Sequence, residues 1–179
     1  FAIWFTGFHH LDGLIDFGDA LMAHGDPQKR ISIMRDSRIG TGSLSYFFIV
    51  AIITFASIAS APISFIFYIL LISEIAAKIG LITCCTFSRP FTDGTGKFFI
   101  EAMNKKLLIL SLLITFIIGY FSLNFTGILG IIGGTIGGII MAIIARKKFT
   151  YTTGDILGAS NEISRMIALL IMVSFLNLI

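Results

Sequence analysis

Long apolar runs, separated by short segments that carry most of the charged residues, make up the greater part of this chain. Each run approaches the length of about 20 apolar residues that a helix needs to cross a membrane. Pro62 separates the first two runs and a short Phe-Thr turn separates the next two, so the pattern predicts two helical hairpins followed by a single helix. The runs cover residues 44–61, 63–83, 107–124, 127–145 and 163–179.

The composition places these helices in a membrane. Of the 179 residues, 56% are hydrophobic and 13% are charged, and the mean hydropathy is +0.95, whereas a soluble domain has about 25% charged residues. We predict an all-α, polytopic transmembrane bundle of about five to seven membrane helices, with residues 1–179 as a single integral membrane domain. Residues 1–8 are too short to span, so we expect them to end an earlier membrane helix, with the N-terminal helix or helices missing from this sequence.

Most of the basic residues fall in three of the connecting segments, while the connections around 57–64 and 119–126 contain no charged residue. Because Lys and Arg collect on the cytoplasmic side of membrane proteins, this asymmetry predicts that all three charged loops are cytoplasmic. It also explains the net charge of +3 and the pI near 9.0 without nucleic-acid binding. The basic residues of these three segments are Lys29, Arg30, Arg35 and Arg38, then Arg89, Lys97, Lys105 and Lys106, then Arg146, Lys147 and Lys148.

Small residues recur every three or four positions in 127–138, a pattern that lets a neighbouring helix approach closely and therefore predicts helix packing. The adjacent cysteines Cys84 and Cys85 lack a second pair of ligands at zinc spacing. We expect them to pack at the membrane interface.

The first charged segment carries a stripe of acids. On a helix that advances about 100° per residue, Asp12, Asp16 and Asp19 share an arc of about 60°, with His9 at its edge. Carboxylates this close repel one another, so the stripe favours a bound cation, and Mg²⁺ prefers such oxygen ligands. A solvated polar face is the alternative. His9 and His10 point about 100° apart, which disfavours a shared zinc ion; a general base or a hydrogen-bond donor to phosphate fits either of them better.

The other charged segments offer phosphate contacts and two more acids. The cations of residues 26–42 could clamp phosphates, although the positive-inside pattern explains them equally well. The segment 88–97 lacks the spacing of a phosphate loop. Asp155 and Glu162 lie seven residues apart, on one face if that segment is helical. The structural alternatives are a helix N-cap for Asp155 and an ion pair with Arg165 for Glu162.

Three blocks of this sequence resemble the cobalamin synthase family, also called adenosylcobinamide-GDP ribazoletransferases, and in particular its archaeal members. They are GFHHLDGLIDFGDAL at 7–21, RISIMRDSRIGTG at 30–42 and TGDILGASNEIS at 153–164. The resemblance implies a magnesium-dependent phosphotransferase of the cell membrane, with cytoplasmic active-site loops. In this reaction a hydroxyl of α-ribazole, or of its 5′-phosphate, attacks the cobinamide-bearing phosphorus of adenosylcobinamide-GDP, and GMP leaves.

The resemblance also implies roles for individual residues. Asp12, Asp16 and Asp19 would hold Mg²⁺, Asp155 and Glu162 would complete the metal shell or orient the attacking hydroxyl, and His9 or His10 would take its proton. The arginines would contact phosphate, and the full set of predicted substrate-binding residues is Arg30, Arg35, Asp36, Arg38 and Asn161. The lipid bilayer and the two substrates are the predicted partners; a homo-oligomer is left open.

Two other classes of protein compete with this interpretation. CDP-alcohol phosphotransferases also place acids with Asp-Gly spacing on membrane helices, but the Ala-Arg that follows the first acid and the two later aspartates of their pattern do not occur here. A cation transporter would hold its ion on the aspartates in mid-membrane. The acids instead lie beside basic loops, and the opposite connections offer no polar entrance.

Overall fold

A computed structural model of the protein describes residues 7–178. Within that range the chain is helical apart from connecting segments and one isolated bridge between Pro90 and Thr152. This confirms the predicted all-α class; the prediction for residues 1–8 lies largely outside the described residues. The helices are α1 His9–Met22, α2 Pro27–Met34, α3 Thr41–Ala59, α4 Ile66–Phe87, α5 Gly96–Ala102, α6 Lys105–Ile144 and α7 Gly154–Leu176, with a 3₁₀ turn at Ile63–Phe65 and a π-helical turn at Ala145–Phe149.

Within residues 7–178, four segments are long and apolar enough to cross a membrane: Thr41–Ala59, Ile63–Phe87, Lys105–Phe149 and Gly154–Leu176. The first two agree with the predicted runs to within a few residues. The last one corrects the prediction, because the helix begins at Gly154 and not near residue 163. The third sequence block is therefore the first part of a membrane-length helix, and not a loop that precedes it.

Helix α6 is interrupted in its middle. Leu123 (φ −137°, ψ 24°) and Asn124 (φ 49°, ψ −134°) have non-helical backbone angles, and a side chain added to Gly127 would overlap the backbone of Gly119. A straight helix would separate residues eight positions apart by about 12 Å. The chain therefore reverses at this point and the two halves pack together, which confirms the predicted second hairpin.

Glycines allow α4, α6 and α7 to pack closely in the centre of the bundle. A side chain at Gly138 would overlap the carbonyl oxygen of Gly80, and one at Gly134 would overlap the backbone of Ala76. A side chain at Gly137 would lie 2.8 Å from the Cα atom of Ser164. These approaches confirm that the small residues of 127–138 form a helix-packing surface.

Helix α1 lies against α7 and α3 through further glycines. A side chain on Gly13 would lie 2.6 Å from the carbonyl oxygen of Asp155, and one on Gly158 would lie 3.1 Å from the carbonyl oxygen of His10. The two contacts show that α1 and α7 run antiparallel. A side chain on Gly18 would lie 2.7 Å from the carbonyl oxygen of Gly42, so the acidic helix meets the N-terminal ends of both α3 and α7.

Candidate active site

The three charged segments meet at one end of the bundle. The backbone of Thr152 donates to the carbonyl oxygen of Arg89 at 2.8 Å and accepts from the amide of Phe91 at 3.1 Å. The hydroxyl of Thr153 lies 3.2 Å from the sulfur of Met34. Segments that are more than 100 residues apart in sequence are therefore joined, and the three charged segments contact one another.

Acids from α1 and α7 lie close enough to interact at this end. Burial, and then the charges of Asp12, Asp155 and Asp19, raise the pKa of Asp16 from 3.8 to about 6. Asp155 is not an N-cap, because the hydroxyl of Thr153 accepts from the first turn of α7 at 3.4 Å. Asp12 and Asp16 of α1 and Asp155 of α7 therefore form a group of carboxylates that repel one another.

Asp19 points to the start of α3. Its carboxylate accepts hydrogen bonds from the amide of Gly40 at 2.6 Å and from the amide and hydroxyl of Ser43 at 3.1 and 2.7 Å. Burial alone would raise the pKa of Asp19, but the hydrogen bonds from Ser43, Gly40 and Gly42 outweigh it and lower the pKa. Asp19 thus caps a helix on a neighbouring segment, and its part as a metal ligand stays a prediction.

Among residues 7–178, no three His, Cys, Asp or Glu side chains are arranged as ligands around one point. The chemistry of the acids nevertheless fits Mg²⁺, which is commonly held by one or two carboxylates together with substrate phosphates. The raised pKa of Asp16 reflects negative charge that a cation would neutralise. The chemistry of these donors therefore fits Mg²⁺, and its binding here stays a prediction.

The predicted arginines have three different environments. Arg35 forms an ion pair with Asp93 at 2.5 Å, stacks on the Phe91 ring at 4.9 Å from its centroid, and lies close enough to Asp155 to feel its charge. Its hydrogen bond with Asp93 raises the pKa of Arg35 and lowers that of Asp93. Arg35 is therefore held beside the acids.

The other two arginines are engaged by other partners. Arg38 pairs with Asp36 at 2.5 Å and its side chain is 88% exposed. Arg30 is buried and donates to the carbonyl oxygens of Ala20 and Leu21 at 3.1 and 2.8 Å, where it caps the C-terminal end of α1. A phosphate contact by Arg30 would require the loss of these bonds, so we leave it out of the phosphate site.

Glu162 and Asn161 belong to a second polar group, deeper in the bundle. Glu162 pairs with Arg165, as its structural alternative predicts, and accepts from the amide of Asn161 at 3.1 Å. Seven helical residues separate Glu162 from Asp155, a rise of about 10 Å. The structure places Glu162 in this interior group, and its predicted part in the metal shell or in orienting the hydroxyl stays a prediction.

Sequence reasoning missed two members of the interior group. Glu74 and Lys78 lie within the run 63–83, whose overall hydropathy predicts an apolar membrane helix. Glu74 pairs with Arg165 at 2.8 Å, and Lys78 contacts both Asn161 and His10. Their spacing of four residues within an apolar helix was the available signal, because ionisable residues in membrane segments require partners.

The stability of the metal-free protein should depend on pH through Asp16. The raised pKa of Asp16 means that the folded protein disfavours the ionised carboxylate. The contribution of Asp16 to the free energy of unfolding is therefore most favourable below about pH 4 and is lost as the pH rises through about 6. Thermal unfolding of the wild type and of Asp16→Asn in chelator should show a difference that grows with pH and levels off above about pH 6. A difference that is constant over this range would contradict the assignment.

The fold and the site define a helical protein of the membrane type, with carboxylates and an arginine collected at one end of its bundle. The sequence profile of the Cobalamin-5-phosphate synthase family matches residues 1–173. The chain belongs to this family.

Curated relatives agree with this assignment. The adenosylcobinamide-GDP ribazoletransferase of Methanococcoides burtonii is 31% identical over 182 residues, which cover 96% of this chain and 67% of the relative. The enzymes of that name from Thermococcus kodakarensis and Acetivibrio thermocellus are 33% and 32% identical, covering 94% and 97% of this chain and 72% and 71% of their own lengths. No solved structure matches the chain.

Proposed function

We propose that this protein transfers the adenosylcobinamide phosphate group of adenosylcobinamide-GDP to α-ribazole or α-ribazole 5′-phosphate, with release of GMP. The names of its relatives and its family membership support this reaction. The structural observation that carries the proposal is the meeting of Asp12 and Asp16 of α1 with Asp155 of α7 at the end where the charged segments join. The same membership argues against a CDP-alcohol phosphotransferase and a cation transporter.

The chemistry needs positioning and charge neutralisation more than a covalent nucleophile. The ribazole hydroxyl oxygen forms a bond to the cobinamide-bearing phosphorus, while the bond from that phosphorus to the oxygen of GMP breaks. Bound Mg²⁺ would neutralise charge on the diphosphate, and Asp12, Asp16 and Asp155 would hold it. Arg35 can contact a phosphate oxygen beside them, and a histidine of the His9–His10 pair takes the hydroxyl proton.

The membrane arrangement forms part of the proposal. The four apolar segments become five crossings if the two halves of α6 each span the bilayer. The basic residues of the joined segments favour a cytoplasmic position for the site. We therefore propose a multi-pass protein of the cell membrane whose acids face the cytosol, where GMP would be released.

Magnesium dependence is tested directly with the purified chain in membranes. Incubation with adenosylcobinamide-GDP and α-ribazole should release GMP in the presence of Mg²⁺. Chelator should lower the rate to background, and added Mg²⁺ should restore it, because uncompensated carboxylates repel the diphosphate. GMP release that persists in excess chelator would refute the metal assignment, and no release under any condition would refute the proposed function.

Arg35 and Arg38 provide a matched comparison within the predicted phosphate contacts. Arg35→Met should raise the KM for adenosylcobinamide-GDP about tenfold or more, because a charge-assisted hydrogen bond contributes about 1.5–3 kcal/mol. Arg38→Met should change the KM less than twofold, since only the charge of Asp36 acts on Arg38, whereas the charge of Asp155 also acts on Arg35. Steady-state kinetics of both variants would measure this, and equal effects would contradict the different placement of the two arginines.

A further inference from the structure

Helix α4 carries two ionisable side chains near its middle. Glu74 and Lys78 are one turn apart and share a face of an otherwise apolar helix of membrane length. A charged residue at the centre of such a helix costs about 2.5 kcal/mol or more unless it finds partners. Both residues have a partner on α7, and Lys78 has a second partner on α1.

The contacts of Lys78 fix which groups donate and which accept. Its Nζ atom lies 3.0 Å from Nε2 of His10 and 2.8 Å from Oδ1 of Asn161. An ammonium group can only donate hydrogen bonds, so Nε2 of His10 accepts and the proton of the ring is on Nδ1. The side-chain amide of Asn161 is also fixed in orientation, because its oxygen accepts from Lys78 and its nitrogen donates to Glu162.

The interior group is balanced in charge. Glu162 and Glu74 both form ion pairs with Arg165. The Nε atom of Arg165 lies 2.8 Å from Oε1 of Glu74, but the angle does not allow a hydrogen bond between these two atoms. Together with Lys78, these residues comprise two cations and two anions. Asn161, Glu162 and Arg165 are 0%, 6% and 7% exposed, whereas Lys78 is exposed and Glu74 is partly buried. A polar network therefore joins α1, α4 and α7, and its α7 members are buried.

The two histidines of the pair face different surroundings. On α1, His10 lies at least about 120° around the helix from each acid of the stripe, whereas His9 lies within about 80° of all three. His9 is exposed, while His10 is partly buried against Lys78.

We infer that Lys78 is a positioning residue that holds His10 in its Nδ1-protonated form, and that His9 is the histidine that reaches the substrate. The inference rests on the proposed function and selects between the two histidines. His10 has no free Nε2 lone pair for the ribazole proton, since Lys78 occupies it. Its contact instead ties α1 to α4 and α7 less than one turn before Asp12, which fixes that acid relative to Asp155.

The tautomer of His10 can be measured without catalysis. The chain is labelled with ¹⁵N-histidine and held in lipid nanodiscs. The pair of imidazole nitrogen signals that is lost in His10→Gln is assigned to His10. In the wild type and in Lys78→Arg, this pair should report a protonated Nδ1 and an unprotonated Nε2. In Lys78→Met the Nε2-protonated form should increase. A protonated Nε2 in the wild type would overturn the inference, even if Lys78→Met does not fold.

GMP release tests the role of each residue. Lys78→Met should lower kcat about 10- to 100-fold, and Lys78→Arg should recover most of this loss because guanidinium also donates to His10 and Asn161. Lys147→Met, which removes an exposed lysine outside the network, should have wild-type kcat. Wild-type kcat in Lys78→Met would overturn the positioning role.

The histidines are compared in the same assay. His9→Gln should lower kcat about 10²-fold or more with an unchanged melting temperature, since it removes a proton acceptor. His10→Gln should lower the melting temperature and should cost less in kcat. A larger kcat loss in His10→Gln at wild-type stability would overturn the assignment. If the wild type releases no GMP, the proposed function fails, while the tautomer measurement still decides the contact of Lys78 with His10.

Discussion

Replacing Asp16 by Asn should lower GMP release about 10³-fold or more, because one metal-binding carboxylate is worth several kcal/mol at a transferring phosphoryl group. The same change should stabilise the metal-free protein at neutral pH by about 1 kcal/mol, once solvent screening of this partly exposed group is taken into account. The physical reason is that burial and the neighbouring acids disfavour the charge of Asp16. Rate and melting temperature should therefore move in opposite directions.

Glu101→Gln serves as the matched control for Asp16→Asn. Glu101 also loses one negative charge, but it is exposed and pairs only weakly with Lys97 at 3.8 Å. Its GMP release and melting temperature should remain those of the wild type. Near-normal turnover of Asp16→Asn would remove Asp16 from the metal site, and a lower melting temperature in chelator would contradict the repulsion among the acids.

Replacing Gly138 by Ala should destabilise the bundle by about 3 kcal/mol, the upper part of the range for an overpacked core. The added methyl group would overlap the carbonyl oxygen of Gly80 and lie 2.8 Å from Cβ of Thr83. Helix propensity alone predicts the opposite sign, because Ala is better than Gly in a helix by about 1 kcal/mol. The melting temperature of the purified protein in detergent would measure which effect is larger.

Gly154→Ala is the matched control, since it makes the same substitution where space is available. The nearest atoms to an added Cβ at Gly154 are 3.8 and 3.9 Å away. The melting temperature should stay the same or rise slightly. If Gly138→Ala proved as stable as Gly154→Ala, the close approach of α4 and α6 at Gly80 would be wrong.

The stripe formed by Asp12, Asp16 and Asp19 shows what residue spacing can predict and what it cannot. Spacing on a helix predicts that Asp12, Asp16 and Asp19 share a face, and α1 forms as expected. It does not predict what lies opposite that face, so Asp19 could not be recognised as the cap of α3. Arg30 presents the same difficulty, because a guanidinium suits a phosphate and a row of carbonyl oxygens equally well.

The interior network could not be predicted from the sequence, because two of its members lie within a long apolar run. Averaged over a membrane-length window, Glu74 and Lys78 barely change the hydropathy of their segment. Their partners on α7 and α1 are 91 and 68 residues away in sequence. Only the packing of three helices identifies these groups as a balanced set.

The sequence by itself determined the helical class, the hairpins, the concentration of charge in three segments and the family. These properties depend on hydrophobic period and local composition, which a chain carries without reference to its neighbours. The tertiary structure decided which acids face each other, which arginine stands beside them and which histidine is held by Lys78. Such contacts depend on the register and rotation of helices against one another, and these are set by close packing at glycines far apart along the chain.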